Sequence, residues 1–275
     1  MFLCGQYRLN LKKRTHIMGI LNITPDSFYK ESRVISVNTA LKRADKMIRE
    51  GADILDIGGE SSRPGSDPVS EEEELKRILP VINALIKKFD IPVSVDTYKS
   101  AVARAVLEEG VSIINDISGL RFDPNMAKTI ASANAGVIIM HISGKPKTMQ
   151  KNPSYKSLMR EITAYLKSGI KQAVSSGIKG SRIIVDPGIG FGKNFSHNIT
   201  ILKKLKQLQK LKKPILLGLS RKSFIGKILD LPVEERLEGS IAASVFGILN
   251  GAQILRTHDV KETKRALAVA DAIVH

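Results

Sequence analysis

Ser112-Ile113-Ile114-Asn115-Asp116-Ile117 is a short apolar, β-branched run with two polar side chains near its end. The stretch before it, Ser100–Glu109, repeats its apolar positions at helical spacing. This pairing of run and helix recurs along the whole chain. Seven further apolar runs are His16–Ile23, Ile54–Ile57, Val93–Val95, Val137–His141, Ile183–Val185, Ile215–Leu219 and Gln253–Thr257. Helical periodicity fills stretches between them, among them Val37–Glu50, Glu71–Lys88, Tyr155–Ser176 and Ser240–Asn250. Near-continuous apolar strands separated by helices predict a parallel sheet covered on both faces. Eight runs in 275 residues leave about 34 residues for each, the size of one βα unit. An α/β fold is therefore expected, a single (β/α)8 TIM barrel rather than an open sheet with its ligand at one switch point. No Gly/Ser/Pro-rich linker divides the chain, so one domain over residues 1–275 is expected. Residues 1–15 form a short N-terminal extension that covers one end of the barrel.

Composition narrows the functional classes. Hydrophobic residues make up 43% and charged residues 25%, which fits an ordinary globular protein and excludes disorder. With Cys4 the sole cysteine, neither an internal disulfide nor a multi-cysteine metal site can form. Apolar runs such as Gly136–Met140 fall far short of the ~20 residues of a membrane span. Residues 1–14 lack the apolar segment of a signal peptide, so a cytoplasmic protein without membrane contact is expected. Lys and Arg outnumber Asp and Glu by 43 to 27, a formal net charge of +16. Nucleic acid, an anionic surface or small anionic substrates would all suit that excess. Trp is absent and aromatics are only 5%, so the stacking platforms of a single-strand binder are missing and nucleic acid is not the expected partner. The densest basic stretch, Lys203–Lys213, sets its lysines around Ile201, Leu202, Leu205, Leu208 and Leu211, and reads as the solvated face of an amphipathic helix.

Barrel active sites are built at the C-terminal strand ends and the loops after them. In order these ends carry Asn22, then Asp56 with Glu60-Ser61-Ser62-Arg63, Asp96, Asn115-Asp116, and His141. Asp186, Ser220-Arg221-Lys222 and Arg256 with His258-Asp259 complete the series. Ser70 and Thr97 read as caps or turns. Asp96 and Asp186 instead end apolar strands inside the mouth, where a buried carboxylate needs donors such as the N–H groups of an amino-pyrimidine ring. Asp96, Asn115 and Asp186 thus suit a flat nitrogen heterocycle, while Arg63, Arg221, Lys222, Arg256 and His258 suit phosphate or carboxylate oxygens. Lys193 is also expected to face this mouth. Asn22 is placed to ligate Mg2+ together with waters and phosphate oxygens, since Mg2+ takes few protein ligands. His16 and His141 read as packed, hydrogen-bonded histidines, and Met140 as core or as a pocket wall. Asp186-Pro187-Gly188-Ile189-Gly190-Phe191-Gly192-Lys193 offers close backbone approach to a ligand but matches no dinucleotide or Walker pattern.

The motifs together resemble the dihydropteroate synthase family. They include Met18-Gly-Ile-Leu-Asn-Ile-Thr-Pro-Asp-Ser-Phe28, Gly51-Ala-Asp-Ile-Leu-Asp-Ile-Gly-Gly-Glu-Ser-Ser-Arg-Pro-Gly65, Val95-Asp-Thr97 and Ile114-Asn-Asp-Ile117. Met140-His141, Lys145-Pro-Lys-Thr-Met149, Asp186–Lys193, Ser220-Arg-Lys-Ser-Phe224 and Arg256-Thr-His-Asp-Val260 follow in family order. The resemblance implies an eight-fold barrel that condenses 6-hydroxymethyl-7,8-dihydropterin diphosphate with 4-aminobenzoate, using Mg2+, to give 7,8-dihydropteroate and diphosphate. It implies Asp96, Asn115, Asp186 and Lys222 at the pterin, with Met140 and Phe191 lining its slot. Asn22, Arg63, Arg256 and His258 would meet the diphosphate and its metal. Phe28, Ser62, Arg63, Pro64, Lys222 and Ser223 would form the aminobenzoate site. The catalytic set would be Asp96, Asp186, Lys222 and Arg63. The resemblance also implies a homodimer, formed through late helices such as Glu235–Asn250.

Three stretches depart from the family pattern, one of them Met140-His-Ile-Ser-Gly144 in place of a commoner Met-His-Met-Gln-Gly. Asp26-Ser-Phe-Tyr-Lys-Glu-Ser-Arg33 lacks the Gly-Gly pair common after the Phe, which stiffens that loop. Ser62 stands where Thr is common, keeping the hydroxyl and losing a methyl. A pterin-dependent methyltransferase acting on methyltetrahydrofolate and a corrinoid protein is the alternative, since it would share Asp96, Asn115 and Asp186. It has no need of Ser61–Gly65, Ser220–Ser223 and Arg256-x-His258 together, and their joint presence favours the synthase.

Overall fold

Two-residue alternation along the eight parallel strands separates an inner from an outer face. The computed structural model describes residues 1–23 and 37–274. A hairpin of β1 (Phe2–Cys4) and β2 (Tyr7–Leu9) comes first, antiparallel and separate from the main sheet. The eight parallel strands are β3 (His16–Asn22), β4 (Ile54–Gly58), β5 (Val93–Asp96), β6 (Ile113–Asp116), β7 (Gly136–Met140), β8 (Ile183–Asp186), β9 (Leu216–Gly218) and β10 (Ile254–Thr257). They pair in the order β8-β7-β6-β5-β4-β3-β10-β9. A parallel bridge from Val185 to Ile215, with Val185 N–H donating to the Pro214 carbonyl at 2.9 Å, joins the two ends and closes the barrel.

Helices follow the strands: α1 (Val37–Arg49), α2 (Glu71–Lys88), α3 (Ser100–Glu108), α4 (Met126–Ser132), α5 (Leu158–Ser175), α6 (Phe195–Lys203), α7 (Ser223–Leu229), α8 (Leu237–Leu249) and α9 (Val260–Val274). Their local signals are ordinary. In α2 the Ser70 hydroxyl accepts from Glu73 N–H at 3.1 Å, Glu71–Glu74 fill the first turn, and Lys87 and Lys88 sit in the last.

Outward strand residues such as Ile17, Leu55, Val95, Ile139, Val185 and Leu217 pack with the buried helix faces into one continuous core. Inward residues at the strand starts form a second cluster of Met18, Ile54, Ile113, Ile138, Ile184, Leu216 and Ile254. Phe2, Cys4 and Leu11 close it from below, so the N-terminal extension covers that end of the barrel. Two residues further along the same inner face, Asp56, Asn115, Asp186 and Arg256 bring polar side chains in beside the apolar Ile20 and Met140. The barrel is thus dry below and polar above, and the polar layer is the floor of the C-terminal mouth.

One expected element is different. The Lys203–Lys213 stretch is not one amphipathic helix: α6 ends at Lys203, and a 3-10 helix, Leu205–Leu211, follows. The tighter winding still turns Leu205 and Leu208 into the core and leaves the lysines outside, so the facing is as read and the helix type is not.

Candidate active site

Strand register builds the site. Asn22, Gly58, Asp96 and Asn115 are successive partners across β3, β4, β5 and β6, so they share the inner face at the rim. Gly58 leaves room between its neighbours: a Cβ there would stand 3.5 Å from Asn22 Oδ1 and 3.8 Å from Asp96 Cβ. Met140 pairs with Asp186 on the other side of the barrel.

Arg256, on β10, reaches across this floor. Its Nε donates to Asp56 Oδ2 at 2.6 Å and its Nη2 to Asp96 Oδ2 at 3.0 Å. Asp56 Oδ2 also accepts from Asn115 Nδ2 at 3.2 Å, while the fully buried Asp56 Oδ1 has no partner among the described residues. Burial pushes the Asp96 carboxyl up to about 7, with the Arg256 charge opposing and the Asp56 charge adding. Burial likewise lifts Asp186 to about 6, against the pull of the Gly188 N–H, which donates to Asp186 Oδ1 at 2.6 Å. Two partly protonatable carboxyls therefore stand in one mouth near neutral pH.

Lys222 caps α7 and points back over the site. Its Nζ donates to the Ile189 carbonyl at 2.8 Å and stands 4.4 Å from the Phe191 ring centre. Burial lowers this ammonium to about 8. The glycine loop explains that placement. Gly188 and Gly192 have φ of +66°, and a Cβ on either would collide with a carbonyl oxygen, of His141 and Ser143 respectively. Only glycine lets the loop press against the β7 end this closely.

His258 Nδ1 lies 3.0 Å from Ser220 Oγ. Burial, and after it the Arg256 charge, pull this imidazole down to about 4, so it is neutral at pH 7 and is not the cationic donor the sequence led us to expect. Two further cations are spoken for. Arg221 grips Asp259 through Nε at 3.0 Å and Nη2 at 2.7 Å. Lys193 does not face the mouth; it is 2% exposed, its Nζ meeting His141 Nδ1 and the Phe191 carbonyl, each at 2.9 Å. Burial holds its ammonium well below the ordinary range.

These features have counterparts elsewhere. Residues 18–258 match the family described as pterin binding enzyme. A dihydropteroate synthase from Clostridium beijerinckii is 47% identical over 271 residues, 98% of each chain. The Yersinia pestis dihydropteroate synthase, solved with a sulfonamide drug, superposes with a TM-score of 0.94 at 42% identity, covering 98% of both chains. The chain belongs to the dihydropteroate synthase family. A third relative, the Xanthomonas albilineans synthase with 4-aminobenzoic acid, gives a TM-score of 0.90 at 40% identity over 97% of this chain and 95% of that one. The same Xanthomonas synthase has been solved with 7,8-dihydropteroate. The methyltransferase alternative is set aside on these near full-length likenesses to synthases.

For a member of the synthase family, the expected residues fall into three groups. Asp96, Asn115, Asp186, Met140 and Arg256 lie together at the C-terminal strand ends, Lys222 and Phe191 come in over them from the adjoining loops, and Asn22 and His258 stand beside Gly58 and Ser220. Ser62, Arg63 and Pro64 lie on the outer loop after β4, Arg63 and Pro64 exposed, and the Arg63 charge still reaches His258. Ser223 is exposed as the first residue of α7, beside Lys222. Phe28 and the glycine-poor stretch from Asp26 to Arg33 lie outside the described residues. Asp56, which the sequence places among the strand-end residues without giving it a ligand, lies in the floor of the site. Its signal is its position in Ile54-Leu55-Asp56-Ile57, a carboxylate inside an apolar strand where no helix cap can use it. Asp116 looked similar but is committed to its own turn, accepting from Ser118 N–H at 2.7 Å and Leu120 N–H at 2.9 Å.

Proposed function

We infer that this chain catalyses the dihydropteroate synthase reaction, condensing 6-hydroxymethyl-7,8-dihydropterin diphosphate with 4-aminobenzoate to 7,8-dihydropteroate and diphosphate. The observation that carries the reading is the junction at Arg256. One guanidinium there borders both the carboxylate floor and the rim occupied by Asn22 and His258, so a heterocycle and its diphosphate tail can lie side by side. Asp96, Asn115 and Asp186 accept from the pterin N–H groups; Met140 and Phe191 wall its faces, and Lys222 donates to its edge. Arg256, Arg63 and the neutral His258 meet the diphosphate.

The reaction is dissociative in this reading. The C–O bond to diphosphate breaks first and its electron pair leaves with the diphosphate. The positive charge left on the pterin methylene spreads into the ring, where ionised Asp96 and Asp186 stabilise it. The aniline lone pair then forms the C–N bond, and the proton it sheds passes to the departing diphosphate. An arylamine is unprotonated at neutral pH, so no strong general base is required. Ser62, Arg63, Pro64, Lys222 and Ser223 hold the aminobenzoate, with its carboxylate toward Ser223.

Among the described residues no cluster of three His, Cys, Asp or Glu could cage a metal by itself. The amide oxygen of Asn22 at the rim, half-buried and facing Gly58, fits a Mg2+ that arrives with the diphosphate and keeps most of its oxygen ligands from substrate and water. Such an ion supplies charge neutralisation for the leaving group. No helix among the described residues is long and apolar enough to cross a membrane. A cytoplasmic location goes with a diphosphate-activated substrate. A homodimer through α7, α8 and α9 accounts for the exposed Ile228, Leu229, Phe246, Leu249, Val269 and Ile273 on those helices.

The test is to incubate the protein with the pterin diphosphate, 4-aminobenzoate and Mg2+. Diphosphate release and dihydropteroate are followed with and without the amine. Amine-dependent formation of dihydropteroate is expected, and its absence would overturn the reading.

A further inference from the structure

The loop from Gly59 to Ser70 carries Ser62, Arg63 and Pro64, and one buried carboxylate closes its base. Glu60 Oε2 accepts from Val69 N–H at 3.2 Å, tying the two ends of the loop together. The same oxygen accepts from Lys99 Nζ at 2.5 Å, and Glu60 Oε1 accepts from Tyr98 Oη–H at 2.6 Å. The Glu60 side chain is only 9% exposed and that of Lys99 11%, so this is not a surface pair exchanging with water. Lys99 is anchored from behind by Glu74 Oε2, at 2.6 Å, on α2. Within the loop, Ser66 Oγ–H bonds to the carbonyls of Ser61 at 2.5 Å and Arg63 at 2.8 Å, a tight turn braced by its own side chain. Tyr98 and Lys99 directly follow Asp96-Thr97 on the next strand end. The segment that presents a carboxylate to the mouth therefore also grips the loop beside it.

We propose that Glu60 is a positioning residue, whose buried bonds to Tyr98, Lys99 and Val69 set the place of Ser62 and Arg63 over the amine subsite. This rests on the assignment of that loop to aminobenzoate. Glu60 itself touches no reacting group. It works by fixing the loop base, and a loop displaced by about an ångström loses much of its effect on the reacting partner.

The experiment compares Glu60→Ala, Glu60→Gln, Tyr98→Phe and Arg63→Ala in the full chain. It measures KM for 4-aminobenzoate, kcat, and direct binding of the pterin diphosphate. Lys99 keeps Glu74 in Glu60→Ala, so no buried charge is orphaned. Glu60→Ala is expected to raise the aminobenzoate KM about tenfold, with pterin diphosphate affinity within about twofold of the parent. Glu60→Gln retains an acceptor for Lys99 and Val69 and is expected to stay within about threefold. Tyr98→Phe removes one donor and is expected to fall between, deciding the matter should Glu60→Ala fail to fold. An unchanged KM in both Glu60→Ala and Tyr98→Phe would overturn the proposal, as would a Glu60→Gln variant as damaged as Glu60→Ala. If Arg63→Ala raises the KM and Glu60→Ala does not, only the positioning role falls. If Arg63→Ala leaves it unchanged, the subsite assignment falls and the proposal with it.

Discussion

Asp186 shows what burying a carboxyl costs at a single residue. Its carboxyl lies almost wholly buried at the end of an apolar strand, and burial lifts it from its ordinary value of 3.8 to about 6. The folded state then holds this proton more tightly than the unfolded chain, so ionising Asp186 opposes folding as pH rises. That penalty is complete above about pH 6 and vanishes as pH falls toward 3.8. Asp186→Asn keeps an oxygen for the Gly188 N–H and removes the charge. The variant is expected to be more stable than the parent by on the order of 2 kcal/mol at pH 7.5, the difference shrinking to little by pH 4. Urea denaturation at the two pH values measures it. Pterin affinity should fall in the same variant, because Asn offers one acceptor where the ring presents donors to two. Some site residues were legible and others not, for a physical reason. Asp96 and Asp186 end apolar strands, a local signal. The Asp56–Arg256 contact joins residues 200 positions apart, and only the pairing of β10 beside β3, which sets it two strands from β4, brings them together. The neutrality of His258 and the lowered ammonium of Lys193 come from burial, which no local pattern reports.

Among the elements, all eight barrel strands were readable because each is a β-branched apolar run bounded by polar residues. The short helices α4 and α7 were not, since seven residues make fewer than two amphipathic turns, and the longer α9 was not singled out either. The β8–α6 connection was legible as a glycine loop, yet its meaning was not, because its reason lies in β7. Gly188 approaches the His141 carbonyl in a left-handed backbone conformation. Gly188→Ala adds both strain and a collision with main chain that cannot rotate away. A loss of roughly 3 kcal/mol or more in stability is expected. Asp186 and Phe191 flank this glycine, so pterin binding should suffer beyond what the lost stability explains. Calorimetric titration of the pterin diphosphate, at a temperature where the variant remains folded, separates the two effects. Unchanged affinity there would mean the loop carries no part of the pterin slot.

At the scale of the molecule, the net charge of +16 takes on a different meaning once the mouth is resolved. Arg221 is held by Asp259, Arg256 by Asp56 and Asp96, and Lys193 is buried, so little of the excess is free for the substrate. Most of it lies on the surface, where it adds long-range attraction for an anionic substrate and repulsion between copies of the chain. That repulsion bears on the proposed dimer. The exposed apolar residues of α7, α8 and α9 must bury enough surface together to outweigh it. Two consequences follow from that balance. Raising salt screens the like charges over roughly 10 Å at 0.1 M and less above it, so dimerisation should tighten with salt rather than weaken. Placing acids in the apolar face, as in Phe246→Asp with Leu249→Asp, should shift the protein to monomer, since both side chains are exposed in a single copy (44% and 48%) and their loss harms no core. Sedimentation equilibrium at low and high salt reads both effects. A parent protein that stays monomeric at all concentrations, or a dimer that dissociates as salt rises, would show that this face is not the interface.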